Sequence, residues 1–139
     1  MSAFMQEKIP TMIPYLTVGN AKSAIDFYEK AFGFKWLNST EVDGDGNIDH
    51  VEMGYKDLLI MFAPEGAFGG TTKTPATLEV ECSMNLYLYC DDVDALYQQG
   101  IKAGAKSLME PNDAFWGDRV CQLGDPDEFM WMFAKKSVK

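Results

Sequence analysis

The hydrophobic and polar positions of the chain first indicate a strand, then a helix, then three more strands. Residues 13–18 (IPYLTV) favour a β-strand, and Asn20 can cap a helix over AKSAIDFYEKAF, in which Phe27 and Ala31 share one apolar face. Gly33 is placed to end that helix. Three strand-like runs follow, FKWLNSTEV, IDHVEMGY and DLLIMFA, the first two joined by the hairpin turn DGDGN. The predicted order is therefore β-α-β-β-β.

The second half of the chain shows the same order. MNLYLYC predicts a strand, and DDVDALYQQGIKAG predicts a helix with acidic residues at its start and Gly104 at its end. Shorter strand-like stretches lie near AKSLME, RVCQLG and FMWMFA. Phrases also repeat at a near-constant offset, since YL (15–16) returns at 87–88 and IMFA (60–63) is matched by WMFA (131–134). Such an offset predicts a duplicated βαβββ unit.

We expect residues 1–139 to form one domain of class α+β, in which the two units build a cupped mixed sheet. The first unit spans about residues 9–63 and the second about 80–135. Residues 64–77 (PEGAFGGTTKTPAT) lack apolar periodicity, so we predict a linker or mobile loop there. Open sheet edges and apolar faces favour an isologous partner, and we expect a homodimer that completes the cup.

Composition and charge disfavour several classes of partner. A net charge of −9 disfavours nucleic acid and anionic membranes, which bind clustered Lys and Arg. The chain has no long apolar run, and MSAFMQEKIP lacks a signal-peptide pattern, so we expect a cytoplasmic protein. Cys82, Cys90 and Cys121 have no CxxC spacing and are expected to be reduced. An acidic surface can favour cationic ligands, although solubility is the simpler explanation.

Several motifs together resemble a known family. The helix phrase AKSAIDFYEKAFGF, the stretch FWGDR (115–119), the following Asp125-Pro126 and the duplicated unit are similar to the vicinal oxygen chelate superfamily of glyoxalases, bleomycin-resistance proteins and dioxygenases. The resemblance covers about residues 9–134. DGDGNIDHVEM and the second helix also resemble the glyoxalase-like branch often labelled demethylubiquinone-methyltransferase-like. The resemblance implies a cupped sheet around a small-molecule site, commonly completed in a dimer.

Metal-dependent members of that superfamily place a ligand near the start of the first strand and on the last strand of each unit. By the resemblance, these positions are Ile13, Met61, Asn85 and Met132. Divalent cations such as zinc prefer carboxylate, imidazole or thiolate donors, which these side chains do not supply. Where the family usually has Gly-His near the final turn, this chain has Asp-Glu-Phe (127–129). We therefore expect no metal and no other cofactor.

Two acidic motifs have alternative interpretations. His50 and Glu52 alternate on one strand face and could supply acid–base chemistry or metal donors, but a simple hydrogen-bonded pair is the interpretation we favour. Residues 41–52 match the spacing of a calcium loop, with Asp43, Asp45 and Gly46 at ligand and turn positions. A calcium loop needs flanking helices, whereas strands are predicted on both sides. The motif therefore predicts a β-hairpin turn.

Aromatic and thioether side chains provide the walls of the predicted pocket. In the loop before the seventh strand, Trp116 can stack on a ligand and Arg119 can hydrogen-bond it. Arg119 can equally pair with Asp118 or Asp125 to fix the turn, and both alternatives stay open. The predicted ligand-binding residues are Tyr15, His50, Glu52, Met61, Asn85, Tyr87, Phe115, Trp116, Arg119 and Met132.

The leading hypothesis is a metal-independent module that binds a small apolar or aromatic molecule. A metal-dependent lyase, isomerase or dioxygenase with a rearranged site at His50, Glu52 or Glu128 is one alternative, and a ligand-free dimeric structural module is another. The sequence has no phosphate-binding loop, nucleophile elbow or Cys-His arrangement, which disfavours nucleotide hydrolysis and covalent hydrolases. Whether any reaction is catalysed stays open.

Overall fold

The computed structural model describes residues 9–41 and 46–137 and shows an α+β protein with two four-stranded sheets. The first half contains β1 (Tyr15–Val18), α1 (Ala21–Phe32), β2 (Lys35–Glu41), β3 (Ile48–Tyr55) and β4 (Leu58–Pro64). A 3-10 turn (Ala67–Gly69) and the short helix α2 (Pro75–Leu78) follow. The second half contains β5 (Asn85–Tyr89), α3 (Val93–Lys102), β6 (Lys106–Asp113), β7 (Asp118–Gly124) and β8 (Met130–Lys136).

The two sheets have the same topology. Sheet one has the strand order β1-β4-β3-β2, and sheet two has the order β5-β8-β7-β6. In each sheet the first strand runs parallel to the last, and the remaining neighbours are antiparallel. This arrangement confirms the predicted tandem βαβββ units and their mixed sheets.

The described chain divides into two compact units. Unit one comprises the described residues through Glu29 together with Gly33–Thr74, and unit two comprises Lys30–Phe32 and the described residues from Pro75 onward. The last turn of α1 thus groups with unit two. Inside the predicted linker, the carboxylate of Glu65 accepts the backbone N–H of Thr74 at 2.9 Å, directly before the proline that starts α2. Proline suits the first position of a helix because its φ is already helical.

The two long helices begin where the sequence predicts. The side chain of Asn20 accepts the backbone N–H of Ser23 at 2.9 Å, and Gly33 ends α1 in the left-handed conformation at φ 74°. In α3, the side chain of Asp92 accepts the N–H of Ala95 at 3.0 Å. Local residue chemistry therefore sets both ends of α1 and the start of α3.

Each unit has an aromatic core on the helix side of its sheet. In unit one, Tyr28 of α1 is 1% exposed, and its ring lies 5.7 Å from that of Phe62 on β4. In unit two, the buried rings of Trp131 and Phe133 on β8 lie 5.5 and 4.8 Å from Phe32. Because strand side chains alternate between faces, the residues next to Phe62 and Phe133 point to the opposite face of each sheet. We call this opposite face, which carries Tyr15 in unit one and Tyr87 in unit two, the tyrosine face.

Candidate functional site on the tyrosine faces

Four of the predicted site residues meet on the tyrosine face of sheet one. Tyr15 on β1 is the register partner of Met61 on β4, and Met61 is the partner of Glu52 on β3. Residues directly opposite each other in a sheet share a face. His50 lies two positions before Glu52 on β3 and therefore points to the same face as Glu52. The structure therefore brings Tyr15, His50, Glu52 and Met61 together.

Hydrogen bonds link three of these side chains in a row. The hydroxyl of Tyr15 lies 2.8 Å from Nδ1 of His50, and Nε2 of His50 lies 3.3 Å from Oε2 of Glu52. The arrangement fits the tautomer in which Nε2–H donates to the carboxylate and Nδ1 accepts the phenol hydrogen. Such a row can pass a proton from a phenol towards a carboxylate.

Glu52 is the unusual member of this row. It is only 5% exposed, and among the described residues its Oε1 atom has no hydrogen-bond partner. Burial, together with the negative charges of Asp49 and Glu52, raises the pKa of Tyr15 above its ordinary value. Tyr15 is thus a neutral hydrogen-bond donor at neutral pH.

The tyrosine face of sheet two holds a second group of predicted residues. Tyr87 on β5 is the register partner of Met132 on β8, and Met132 is the partner of Gln122 on β7. Asn85 lies two positions before Tyr87, and its side-chain oxygen accepts the amide hydrogen of Gln122. Asn85, Tyr87 and Met132 therefore share one face, as the alternation predicts.

A buried carboxylate holds the aromatic side chains of this face. Asp118, at the start of β7, is 1% exposed, and its Oδ2 accepts the hydroxyls of Tyr87 at 2.6 Å and Tyr89 at 2.8 Å. The indole Nε1–H of Trp116 donates to the hydroxyl oxygen of Tyr87 at 3.0 Å. We call Tyr87, Tyr89, Trp116 and Asp118 the Asp118 cluster.

The hydrogen bonds of the cluster separate the pKa values of its acids. Burial and the hydrogen bond to Asp118 raise the pKa of Tyr87 to about 12, and the bond to Asp118 also raises the pKa of Tyr89. The bonds from Tyr87 and then Tyr89 lower the pKa of Asp118. At neutral pH the cluster therefore holds one carboxylate and two neutral phenols.

The aromatic rings of this region are accessible. Tyr87, Tyr89 and Trp116 are 41%, 49% and 48% exposed, and Phe115 is 97% exposed with its ring centroid 5.0 Å from that of Trp116. Gly117 follows at φ +98°, a conformation that side chains rarely adopt, and turns the chain into β7. A group of exposed aromatic rings around a buried polar anchor is typical of a binding surface.

Arg119 lies on the other face of sheet two. Its Nε and Nη2 donate to Asp94 of α3 at 2.7 and 2.8 Å, and its Nη1 donates to Asp113 at 3.2 Å. The internal partners considered from the sequence, Asp118 and Asp125, are therefore wrong. Alternation places Asp118 on the face opposite Arg119, and Asp125 accepts the indole N–H of Trp131 at 2.9 Å. The guanidinium of Arg119 is already held by two carboxylates, which favours an internal pairing over the predicted contact with a ligand.

Two members of the cluster, Tyr89 and Asp118, were not among the predicted site residues. Tyr89 could have been found from the sequence, because it lies two positions after Tyr87 on β5 and therefore points to the same face. For Asp118, alternation along β7 shows only that it and Arg119 point to opposite faces. The sequence does not show which of them shares a face with Tyr87, since that depends on the register between β7 and β8.

The residues that the resemblance assigns to metal-ligand positions do not fit a divalent cation. Met61 and Met132 present thioethers, the Asn85 oxygen is bonded to Gln122, and Ile13 lies before β1 without a donor. Within residues 9–41 and 46–137, no group of three or more His, Cys, Asp or Glu side chains is arranged to hold a metal ion.

The calcium-like motif joins two strands. Glu41 of β2 is paired with Ile48 of β3 in an antiparallel register, so the segment connects the strands of a hairpin, as predicted from the sequence. Asp43 and Asp45 lie outside the described residues.

In the described part of the chain, no helix is long and apolar enough to cross a membrane.

The model of the Glyoxalase/Bleomycin resistance protein/Dioxygenase superfamily matches residues 9–133. The chain belongs to this superfamily. An uncharacterized protein of Mycobacterium bovis is 34% identical over 125 residues, which cover 88% of this chain and 80% of that protein. Membership confirms the resemblance inferred from the sequence motifs.

Solved structures share the superfamily fold. The crystal structure of TioX from Micromonospora sp. ML1 is similar with a TM-score of 0.71 at 22% identity, over 92% of this chain and 99% of TioX. Glyoxalase I from Zea mays is similar with a TM-score of 0.64 at 18% identity, over 90% of this chain and 44% of the maize protein. At these identities the likeness shows the fold, while function depends on the residues of the site.

Proposed function

We propose that this protein binds a small planar or aromatic molecule on the tyrosine face of unit two, without using a metal. The observation that carries the proposal is the Asp118 cluster, in which a buried carboxylate accepts the hydroxyls of Tyr87 and Tyr89 and Tyr87 accepts the indole N–H of Trp116. The three aromatic side chains are each close to half exposed. Exposed aromatic rings in fixed positions offer a large contact area at a low cost in side-chain entropy.

The donor chemistry supports the metal-independent part of the proposal. Thioethers and one neutral amide oxygen at the superfamily's ligand positions give a divalent cation no ionised donor to offset the loss of its hydration. Metal analysis of protein purified without added metal is expected to find no stoichiometric metal. Zinc, nickel, manganese or iron near one equivalent per chain would contradict this part.

Binding can be tested with N-phenyl-1-naphthylamine, an uncharged aromatic fluorophore. We expect saturable binding, and Trp116→Ala should weaken it about tenfold, since an aromatic pair contributes roughly 0.5–1.5 kcal/mol beyond its buried area. The matched control is Trp36→Ala, because Trp36 lies on β2 of unit one and is exposed to a similar degree, 50% against 48%. Absence of saturable binding, or equal losses in both variants, would overturn the proposal.

A second candidate function is metal-independent proton transfer in unit one. The row formed by Tyr15, His50 and Glu52 favours it, because a histidine bonded to both a phenol and a buried carboxylate can accept and return a proton. The test is exchange of the carbon-bound hydrogens of dihydroxyacetone in D2O, followed by proton NMR. Exchange above the buffer rate that is lost in His50→Asn would support this function, and exchange unchanged by that substitution would exclude it for this probe.

A further inference from the structure

The carboxylate of Asp118 has one oxygen that its neighbours leave unfilled. Oδ2 accepts two phenol hydrogens, whereas Oδ1 is buried and accepts no hydrogen bond from any group in the described residues. The ammonium of Lys136 lies 3.9 Å from Oδ1, and the side chain of Lys136 is 76% exposed. Among the described residues, the cation paired with this carboxylate is therefore a mostly exposed lysine that lies beyond hydrogen-bond distance.

We propose that the Asp118 cluster selects positively charged aromatic amines, whose ammonium group replaces that of Lys136 beside Oδ1 while the ring contacts the exposed aromatic side chains. The inference rests on the proposed binding function and names the class of ligand. It goes beyond an apolar pocket, since the charge of the ligand becomes part of recognition.

The position of Lys136 shows that an ammonium group can approach this oxygen. The ammonium of Lys136 lies 3.9 Å from Oδ1, beyond hydrogen-bond distance, and the lysine side chain is mostly in water, so exchanging it for a ligand ammonium costs little. A ligand that donates a hydrogen bond to Oδ1 fills an acceptor that is otherwise buried and unused, and hydrogen bonds to ionised groups are the stronger ones. Asp118 is ionised at neutral pH, because the phenol hydrogen bonds lower its pKa.

The exposed tyrosine rings beside the carboxylate add a contact surface for the aromatic part of the ligand. Tyr87 and Tyr89 both direct their hydroxyls to Asp118, so their rings lie close to the carboxylate, at a centroid separation of 5.9 Å from each other. The hydroxyl ends of the two rings point at Asp118, so the exposed rings offer contact area to the aromatic part of the ligand while its ammonium lies at the carboxylate. The net charge of −9 draws cations towards the protein in general, which makes a charge-matched control necessary.

The test compares two probes of similar shape, 2-(aminomethyl)naphthalene, which is cationic at pH 7, and 2-naphthylmethanol, which is neutral. Affinities are measured by isothermal titration calorimetry on the full chain. We expect the amine to bind the wild type at least tenfold more tightly than the alcohol. Asp118→Asn should remove this preference, and Lys136→Met should strengthen amine binding several-fold by removing the competing ammonium.

Two controls separate local from general charge effects. Lys135→Met makes the same change in net charge on the neighbouring residue, whose register partner is Arg119 on the opposite face, and should leave the preference unchanged. Glu110→Gln is the corresponding control for Asp118→Asn. Because Asp118 is buried and its variant can fail to fold, the exposed Lys136→Met keeps the test decisive.

The outcomes distinguish the inference from the proposed function. If both probes bind equally and neither Asp118→Asn nor Lys136→Met changes their ratio, the amine preference is wrong while aromatic binding stands. If neither probe binds, the proposed binding function fails as well. An equal gain in Lys135→Met and Lys136→Met would show general electrostatics and overturn the role of Asp118.

Discussion

Replacing Glu52 with methionine should stabilise the protein, although it removes a side chain of the candidate site. Glu52 is 5% exposed, and in the described structure one carboxylate oxygen is buried without a hydrogen bond while the other lies 3.3 Å from His50. A buried unsatisfied acceptor costs about 1–3 kcal/mol, and the lost hydrogen bond contributes about 0.5–1.5 kcal/mol. Methionine has a similar length, so the expected net gain is about 0.5–2 kcal/mol, or roughly 2–6 °C in Tm.

The gain should be measured by urea unfolding followed by circular dichroism, with Gln122→Met as the matched control. Gln122 faces Met132 in unit two as Glu52 faces Met61 in unit one, but its amide is bonded to Asn85. The control should therefore lose stability, by about 0.5–1.5 kcal/mol. A loss of more than about 1 kcal/mol in Glu52→Met would show that its charge is well compensated and would refute the reasoning.

Three further predictions follow from the contacts of unit two and from the sheet edges. Burial and the hydrogen bond to Asp118 raise the pKa of Tyr87 to about 12, so between about pH 10 and 12 the folded chain keeps a proton that the unfolded chain has lost, and stability should fall across that range. Ultraviolet titration of the phenols should show a late fraction, to which Tyr89 also contributes, and this fraction should titrate earlier in Asp118→Asn. Arg119→Ala should lower Tm by releasing Asp94 and Asp113 and leave N-phenyl-1-naphthylamine binding unchanged; weakened binding at constant Tm would instead place Arg119 in the site. We also expect a homodimer, and light scattering at micromolar concentration that gives 15.6 kDa would count against it.

The helices and their limits could be predicted because their determinants are local. The predicted cap at Asn20 and the predicted stop at Gly33 each act within a few residues of chain, and the structure has both. For the second helix the sequence predicted acidic residues at its start, of which Asp92 is the cap, whereas the helix ends at Lys102, before the predicted Gly104. The strand runs were also recognisable from their apolar content and turns. The duplicated phrases added the one long-range fact available without a structure, that the two halves share an architecture.

Strand alternation predicted part of the candidate site. It grouped Tyr87 with Asn85 and His50 with Glu52, and both groupings hold. It did not show that Tyr15 contacts His50, because these residues are 35 positions apart and meet only through the pairing of β1, β4 and β3. The same limit applies to Asp118, which lies 31 positions from Tyr87.

The sequence by itself determined the superfamily and the two βαβββ units, since these depend on local pattern and on repeated phrases. Tertiary structure alone decided that Asp118, and not Arg119, joins the tyrosines, and that Arg119 pairs with Asp94. The physical reason is register. In a strand of period two, neighbouring charged residues point to opposite faces, and only pairing with the next strand fixes which face meets the aromatic side chains.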